Sequence, residues 1–373
     1  MVGLRGVSSK MRAGALCRIA FPHTAALLRS MRALAIVFAS LILPLANGFP
    51  AFGNGKLRET AFRENFYGVD INGDQAWIVG YYGAILHTRN RGETWQVQRS
   101  PVNNALFTVR FVDRDKGWIT GSYGAILSTV DGGKNWRAQN SGTAEHLLGL
   151  TLLDQSHGWA VGSRGMTLRT DNGGQSWSLS PVPGDFTFSG VSFIDRSRGW
   201  IAGEFGVIFH TADGGKTWSK QKSPVEVSFA SGESRNLFAL RFDRADSGYA
   251  VGLDGVVLRA GPGGSWKIVR QGASANGSNG AHHLFAVARV GERLWAAGER
   301  GTLLHSDRDG KDWQQVKAGV PRVSLNAIAF GSNGFGLAVG NRGVVLRTDD
   351  AGAAWKQLKP GSALQPFELV RLP

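Results

Sequence analysis

Acidic and amide side chains recur in this 373-residue chain inside one short turn. The pattern is Ser/Thr-x-Asp/Asn-x-Gly-x-x-Trp. It occurs as Thr129/Asp131/Gly133/Trp136, Thr170/Asn172/Gly174/Trp177, Thr211/Asp213/Gly215/Trp218, Thr348/Asp350/Gly352/Trp355 and Thr88/Asn90/Gly92/Trp95. Repeated acids invite a hydrolytic reading, because two carboxylates flanking a glycosidic bond can cleave it. The spacing favours a local role instead. An Asp or Asn at this position accepts hydrogen bonds from the N–H groups of its own turn. The Gly supplies a positive φ, and the Trp covers the hairpin. Asp131, Asn172, Asp213 and Asp350, with Trp136, Trp177, Trp218 and Trp355, are therefore read as structural. A sixth copy keeps Ser306, Gly310 and Trp313 but has Arg308 in the acidic slot, and a seventh has Gly261 there.

Other catalytic constellations are not legible. Turns of this kind, called Asp boxes, occur in sialidases, whose site needs three Arg, a Tyr nucleophile paired with Glu, and an Asp acid/base. The five Tyr are Tyr67, Tyr81, Tyr82, Tyr123 and Tyr249, and none has a Glu partner visible in the sequence. The eight His form no metal-spaced cluster, and the single Cys, Cys17, excludes Cys-rich metal sites and a disulfide framework. No enzyme activity, cofactor, metal or small-molecule substrate is expected. An Asp-box glycan-binding protein or glycosidase remains the alternative, because carboxylates paired across repeats are invisible in a sequence.

The turns belong to a larger repeat. Segments 76–95, 117–136, 158–177, 199–218, 248–266, 294–313 and 336–355 share a G-W-x-x-G-x-x-G core. The first Gly of the G-x-x-G turn falls at 80, 121, 162, 203, 252, 298 and 340, at intervals of 41 to 49 residues. All 12 Trp sort into two slots. Trp77, Trp118, Trp159, Trp200 and Trp295 fill the first, completed by Tyr249 and Leu337, and the Asp-box Trp fill the second. Each unit reads as four short strands, as in Leu106–Val112, Trp118–Thr120, Ala125–Thr129 and Trp136–Gln139, broken by Gly and Asp turns. Seven four-stranded antiparallel units predict an all-β, seven-bladed β-propeller over 49–373. Either Leu57–Ala61 or Phe367–Leu372 is expected to close the ring. Val225–Asn236 and Ala273–His282 read as surface loops.

Two sets of positions carry candidate binding groups. The G-x-x-G turns place Tyr82, Tyr123, Phe205, Arg164, Arg300 and Arg342 in equivalent slots. A second slot holds His87, Ser128, Arg169, His210, Arg259, His305 and Arg347, a partial ring of basic groups. Arg and aromatics gathered at one end of a propeller suit a protein-interaction surface.

The unit G-W-x-x-G-x-x-G-x-[IL]-L-x-T-x-D-G-G-x-x-W resembles the propeller family of the photosystem II stability/assembly factor, most closely at Gly117–Trp136, Gly158–Trp177 and Gly199–Trp218. The resemblance covers about residues 57–358. It implies an exported, non-catalytic, seven-bladed scaffold that binds newly made D1 protein and has an Arg-rich patch on one face. Arg164, Arg169, Arg300, Arg342 and Arg347 are the matching positions, with Tyr82 and Tyr123 beside them. For bacteria without photosystem II, the resemblance points to an accessory of a resistance-nodulation-division-type exporter. The expected partner is a membrane protein or membrane-protein complex, and the protein is expected to be monomeric.

Residues 1–48 stand apart. They carry six basic residues and no acidic one, then the 13-residue apolar run Ala33–Leu45. That run is too short to span a bilayer and fits a signal-peptide core. Ala46-Asn47-Gly48 has the small residues of a cleavage site, and Met1, Met11 or Met31 is the start. Removing the segment lowers the net charge from +14 to +8, the six basic residues accounting for the difference. An exported protein with this residual charge and no nucleic-acid motif is not expected to bind nucleic acid. The periplasm, or a thylakoid lumen in a photosynthetic host, is the expected compartment.

Overall fold

The computed structural model describes residues 64–231, 233, 235–271, 282–316 and 321–358. These fold as seven four-stranded antiparallel sheets, each made of consecutive strands. Blade 1 comprises β1 (Phe66–Asn72), β2 (Gln75–Gly80), β3 (Ile85–Thr88) and β4 (Gln96–Val97). Blade 2 comprises β5 (Leu106–Phe111), β6 (Gly117–Gly121), β7 (Ile126–Thr129) and β8 (Arg137–Gln139), and the remaining blades repeat the order. The seven-bladed all-β propeller expected from the repeat is therefore the observed fold. The candidate closing segments Leu57–Ala61 and Phe367–Leu372, and most of Ala273–His282, lie outside the described residues.

The core lies between the blades. Seven clusters of buried apolar side chains each bridge one blade and the next. The cluster joining blade 7 to blade 1 packs Phe335, Leu337 and Val339 against Phe66, Ile78 and Trp95, so side-chain packing closes the ring. Second strands such as β6 are buried along their whole length, since a neighbouring blade covers each face. Fourth strands are two to five residues long and mostly exposed, as suits a sheet edge.

The Gly of the G-W dipeptide is a packing requirement. Phe193, at the end of the first strand of blade 4, pairs with Gly199. Its ring lies where a Cβ on Gly199 would sit, with ring carbons 2.4 Å away. The same Phe ring stacks on Trp159 of blade 3, with centroids 3.7 Å apart. Phe111/Gly117, Phe242/Gly248 and Phe330/Gly336 repeat the pairing, whereas blade 1 pairs Ile71 with Ala76. Blade 3 pairs Leu152 with Gly158, and blade 6 pairs Arg289 with Leu294.

Every first strand also carries one register shift near its start. The residues stepped over are Tyr67, Phe107, Leu148, Ser189, Phe238, Phe285 and Asn326, and all line the central channel. A bulged residue leaves the ladder and its side chain is re-aimed.

Gly199→Ala is expected to cost about 1–3 kcal/mol through overpacking. Phe193→Ile in the same chain should recover part of it, reproducing the blade 1 pairing. Urea denaturation measures both, and an unshifted midpoint for Gly199→Ala would refute the packing account.

Candidate partner-binding face

Antiparallel pairing sends alternate connections to opposite ends of the propeller. The turns between first and second strands and the Asp boxes share one end. The G-x-x-G turns and the inter-blade links share the other.

At the Asp-box end the acids are committed to their turns. Asp131 Oδ1 accepts from Thr129 Oγ1 and from the N–H of Asn135, each at 2.9 Å. Thr217 donates to Asp213 from Oγ1 at 2.6 Å and from its N–H at 2.9 Å. Those bonds hold the Asp213 carboxyl down at about 2. Asp350 is lowered by the N–H of Ala354, and Asn172 accepts from the N–H of Ser176 at 3.0 Å. Trp136 and Trp218 are buried, and Trp177 and Trp355 are half-buried. Blade 6 rebuilds the motif from a later residue, since Asp312 accepts from Ser306 Oγ at 2.8 Å and from the N–H of Arg308. Asp312 stands four residues past the expected slot at Arg308.

The expected basic ring does not form at this end. Burial lowers His87 to about 4, and its ring lies flat on Trp77 with centroids 4.7 Å apart, so it is neutral. Burial also lowers His210. Arg169 is paired with Asp171 at 2.6 Å, and Arg347 with Asp349 at 3.0 Å. These two arginines sit on third strands beside the Asp boxes, away from Arg164, Arg300 and Arg342. The candidate residues therefore do not share one face.

The G-x-x-G end has a different character. The first Gly has extended backbone, and at Gly203 an added Cβ would meet the Thr187 carbonyl oxygen at 2.0 Å. The last Gly has positive φ, +73° at Gly206. Between them stands a non-Gly residue that is also left-handed. These are Tyr82, Tyr123, Arg164, Phe205, Asp254, Arg300 and Arg342, with φ from 51° to 56°. Side chains at such φ cost about 1–2 kcal/mol each, a cost that Gly avoids and Asn reduces. Neither occurs at any of the seven tips. Left-handed non-Gly residues also occur in three Asp boxes, at Arg91, Asp309 and Ala351, but only the G-x-x-G end carries one in every blade.

The next blade pins several tips. The N–H of Tyr123 donates to His146 Nδ1 at 3.1 Å, Phe205 to Asn236 Oδ1 at 3.1 Å, Asp254 to His283 Nδ1 at 3.0 Å and Arg342 to Asn65 Oδ1 at 3.0 Å. The last bond crosses the ring closure. Closure also makes blades 6, 7, 1, 2 and 3 consecutive, so Arg300, Arg342, Tyr82, Tyr123 and Arg164 form one arc. Tyr82 is 65% and Tyr123 71% exposed. Arg164 is 73% exposed and 3.9 Å from Glu145. Among the described residues, no carboxylate forms an ion pair with Arg300 or Arg342.

Residues 93–147, 141–228 and 221–363 match the family model described as photosynthesis system II assembly factor YCF48. The chain belongs to that family. No curated protein sequence matches the chain. Among solved structures, YCF48 from Cyanidioschyzon merolae is 23% identical, with a TM-score of 0.59 over 77% of this chain and 96% of that one. A structure titled YCF48 bound to D1 peptide is 20% identical, with a TM-score of 0.63 over 79% of this chain and 94% of that one. A GH74 xyloglucanase from Xanthomonas campestris is 14% identical, with a TM-score of 0.60 over 78% of this chain and 53% of that one. At these identities the structural likenesses establish the fold alone. Family membership directs attention to the end with strained, exposed Arg and Tyr side chains.

Arg300→Asn and Arg342→Asn are each expected to leave stability unchanged or raise it by up to about 1 kcal/mol, because Asn tolerates left-handed backbone. Thermal unfolding reports this, and a loss above that size would deny the strain. A pH test addresses the other end. The folded Asp213 carboxyl titrates at about 2, below its ordinary value of 3.8. Its contribution is therefore complete above pH 3.8 and lost as pH falls through about 2. Asp213→Asn should be mild at pH 7, since Asn90 bonds Thr94 in the same geometry in blade 1. The variant should also flatten the fall in urea midpoint between pH 4 and pH 2, and an unchanged slope would count against this assignment.

Proposed function

We propose that this protein is an exported, non-catalytic scaffold that assists assembly by binding a membrane-protein partner through the arc Arg300–Arg342–Tyr82–Tyr123–Arg164. The observation that carries the reading is the strained, exposed set of turn tips, where Arg and Tyr replace the residues the backbone would favour. Arg and Tyr are enriched where partners dock, and exposed cations attract acidic segments. Family membership supports assembly as the task, and the neighbour titled as a D1-peptide complex supports a membrane-protein segment as the ligand class. The basic segment followed by a 13-residue apolar run supports export to the periplasm or an equivalent lumen. A non-catalytic role is supported by Asp-box acids that are spent on their own turns. The partner class includes an assembly intermediate and a resistance-nodulation-division-type exporter.

The test is capture from detergent-solubilised membranes of the native host by the tagged domain starting at residue 49, with partners identified by mass spectrometry. Arg164→Glu, Arg300→Glu and Arg342→Glu together are expected to reduce capture of the membrane protein at least tenfold. Arg114→Glu, at the Asp-box end, should leave it intact. Equal capture by all forms would refute this face. Hydrolysis of a xyloglucan or sialoside panel would refute the non-catalytic reading.

A further inference from the structure

We infer that the mouth of the central channel, on the same face as the arc, is a socket for an apolar side chain carried by an acidic peptide segment. The inference rests on the partner-binding reading above and adds to it what the ligand must contain. Five of the seven bulged residues are apolar or aromatic, namely Tyr67, Phe107, Leu148, Phe238 and Phe285. Each stands second in its first strand, at the end where the strand leaves the G-x-x-G face. A bulge frees one residue from the ladder and turns its side chain, and here the register shift recurs in all seven blades. The turned side chains form an apolar collar where the channel meets solvent.

The collar is continuous with the arc. The rings of Tyr67 and Phe107 lie 5.9 Å apart, and those of Phe238 and Phe285 lie 5.4 Å apart. Phe107 meets His146 at 6.4 Å, and His146 meets the exposed tip Tyr123 at 5.0 Å. A ligand on the tips therefore borders an apolar opening. The channel holds a cavity of about 200 Å³, room for a side chain and too little for a folded element. The charge around it selects the flanks of the ligand. Arg300, Arg342 and Arg164 stand on the G-x-x-G turns of the same face, whereas Arg110, fifth in β5, lies on the channel wall nearer the other end, where its charge acts on Asp70. Acidic residues on either side of an apolar one satisfy both features.

The probes are two synthetic peptides, acetyl-Glu-Asp-Leu-Phe-Glu-Asp-amide and the same peptide with Ser-Ser in place of Leu-Phe, measured by calorimetric titration against the domain starting at residue 49. The Leu-Phe peptide is expected to bind roughly tenfold or more tighter, the size of one buried aromatic side chain. Phe238→Asp with Phe285→Asp should erase the difference between the peptides. Arg300→Glu with Arg342→Glu should weaken both peptides alike. A benzophenone in place of the peptide's Phe, used with the unaltered protein, should crosslink to the collar, which keeps the test independent of variant folding. Equal binding of the two peptides, no binding of either, or crosslinks confined to the outer strands would overturn the socket. If arginine-dependent capture of the membrane protein persisted alongside such a result, the face would stand and the socket alone would fail. Binding of a xyloglucan oligosaccharide, with no binding of either peptide, would overturn it in favour of a glycan.

Discussion

The indole of Trp77 donates across a blade boundary to the carbonyl of Gly132, in the Asp box of the next blade, at 3.1 Å. Trp118 and Trp159 repeat the bond to Gly173 and Gly214. This contact ties together three features that look separate in the chain. The Asp box must hold its carbonyl in place, the G-W dipeptide must admit the Phe ring that stacks on the indole, and a following blade must exist to receive the bond. A single blade has no partner for either face, so the repeat folds only as a ring. Gln98 and Gln139 reinforce the boundary, each bridging the next Asp-box carbonyl and the next Asp-box Trp.

The ring is not stapled evenly. The slot of Gln98 and Gln139 is filled by Val269, Val316 and Leu358 after blades 5, 6 and 7. The indole N–H groups of Trp295, Trp313 and Trp355 are buried without a hydrogen-bond partner among the described residues. Between blades 5 and 6 a charged group takes over, with Tyr249 and Arg259 both on Asp309, and Arg289 linking Asp243 and Glu292. At the Asp boxes, blades 1 to 5 are joined mainly by neutral hydrogen bonds, with the Arg196–Asp154 ion pair added between blades 3 and 4. The return to blade 1 combines apolar packing, the Arg91–Asp349 ion pair and hydrogen bonds from Asn326 and Arg342.

The two ends of the propeller use their residues for opposite purposes. At the Asp-box end polar groups are consumed locally, and the pKa directions follow from that. At the G-x-x-G end the backbone holds a left-handed residue in every blade, and Tyr82, Tyr123 and Arg164 are displayed largely to solvent. Conformational strain is tolerated because the next blade fixes the tips from behind, as His146 does for Tyr123.

Much of the fold was legible in the chain. Blade number, the two Trp slots and the Asp-box turns follow from residues repeated in register, because their hydrogen bonds span only a few positions. The separation of Arg164 from Arg169 was also accessible, since a third strand rising about 3.3 Å per residue carries Arg169 toward the opposite end. The role of Asp312 and the acceptor role of His146 and His283 were not, because each depends on a geometry that composition does not encode. By itself, the sequence determined seven equivalent four-stranded units and the chemistry of their turns. Only the tertiary structure decided that residues 300 and 342 stand beside residues 82 and 123, and that seven bulged residues meet around one channel. Local turns are set by short-range bonds, whereas the closure of a ring places side chains by the packing of whole blades, over separations no repeat period can express.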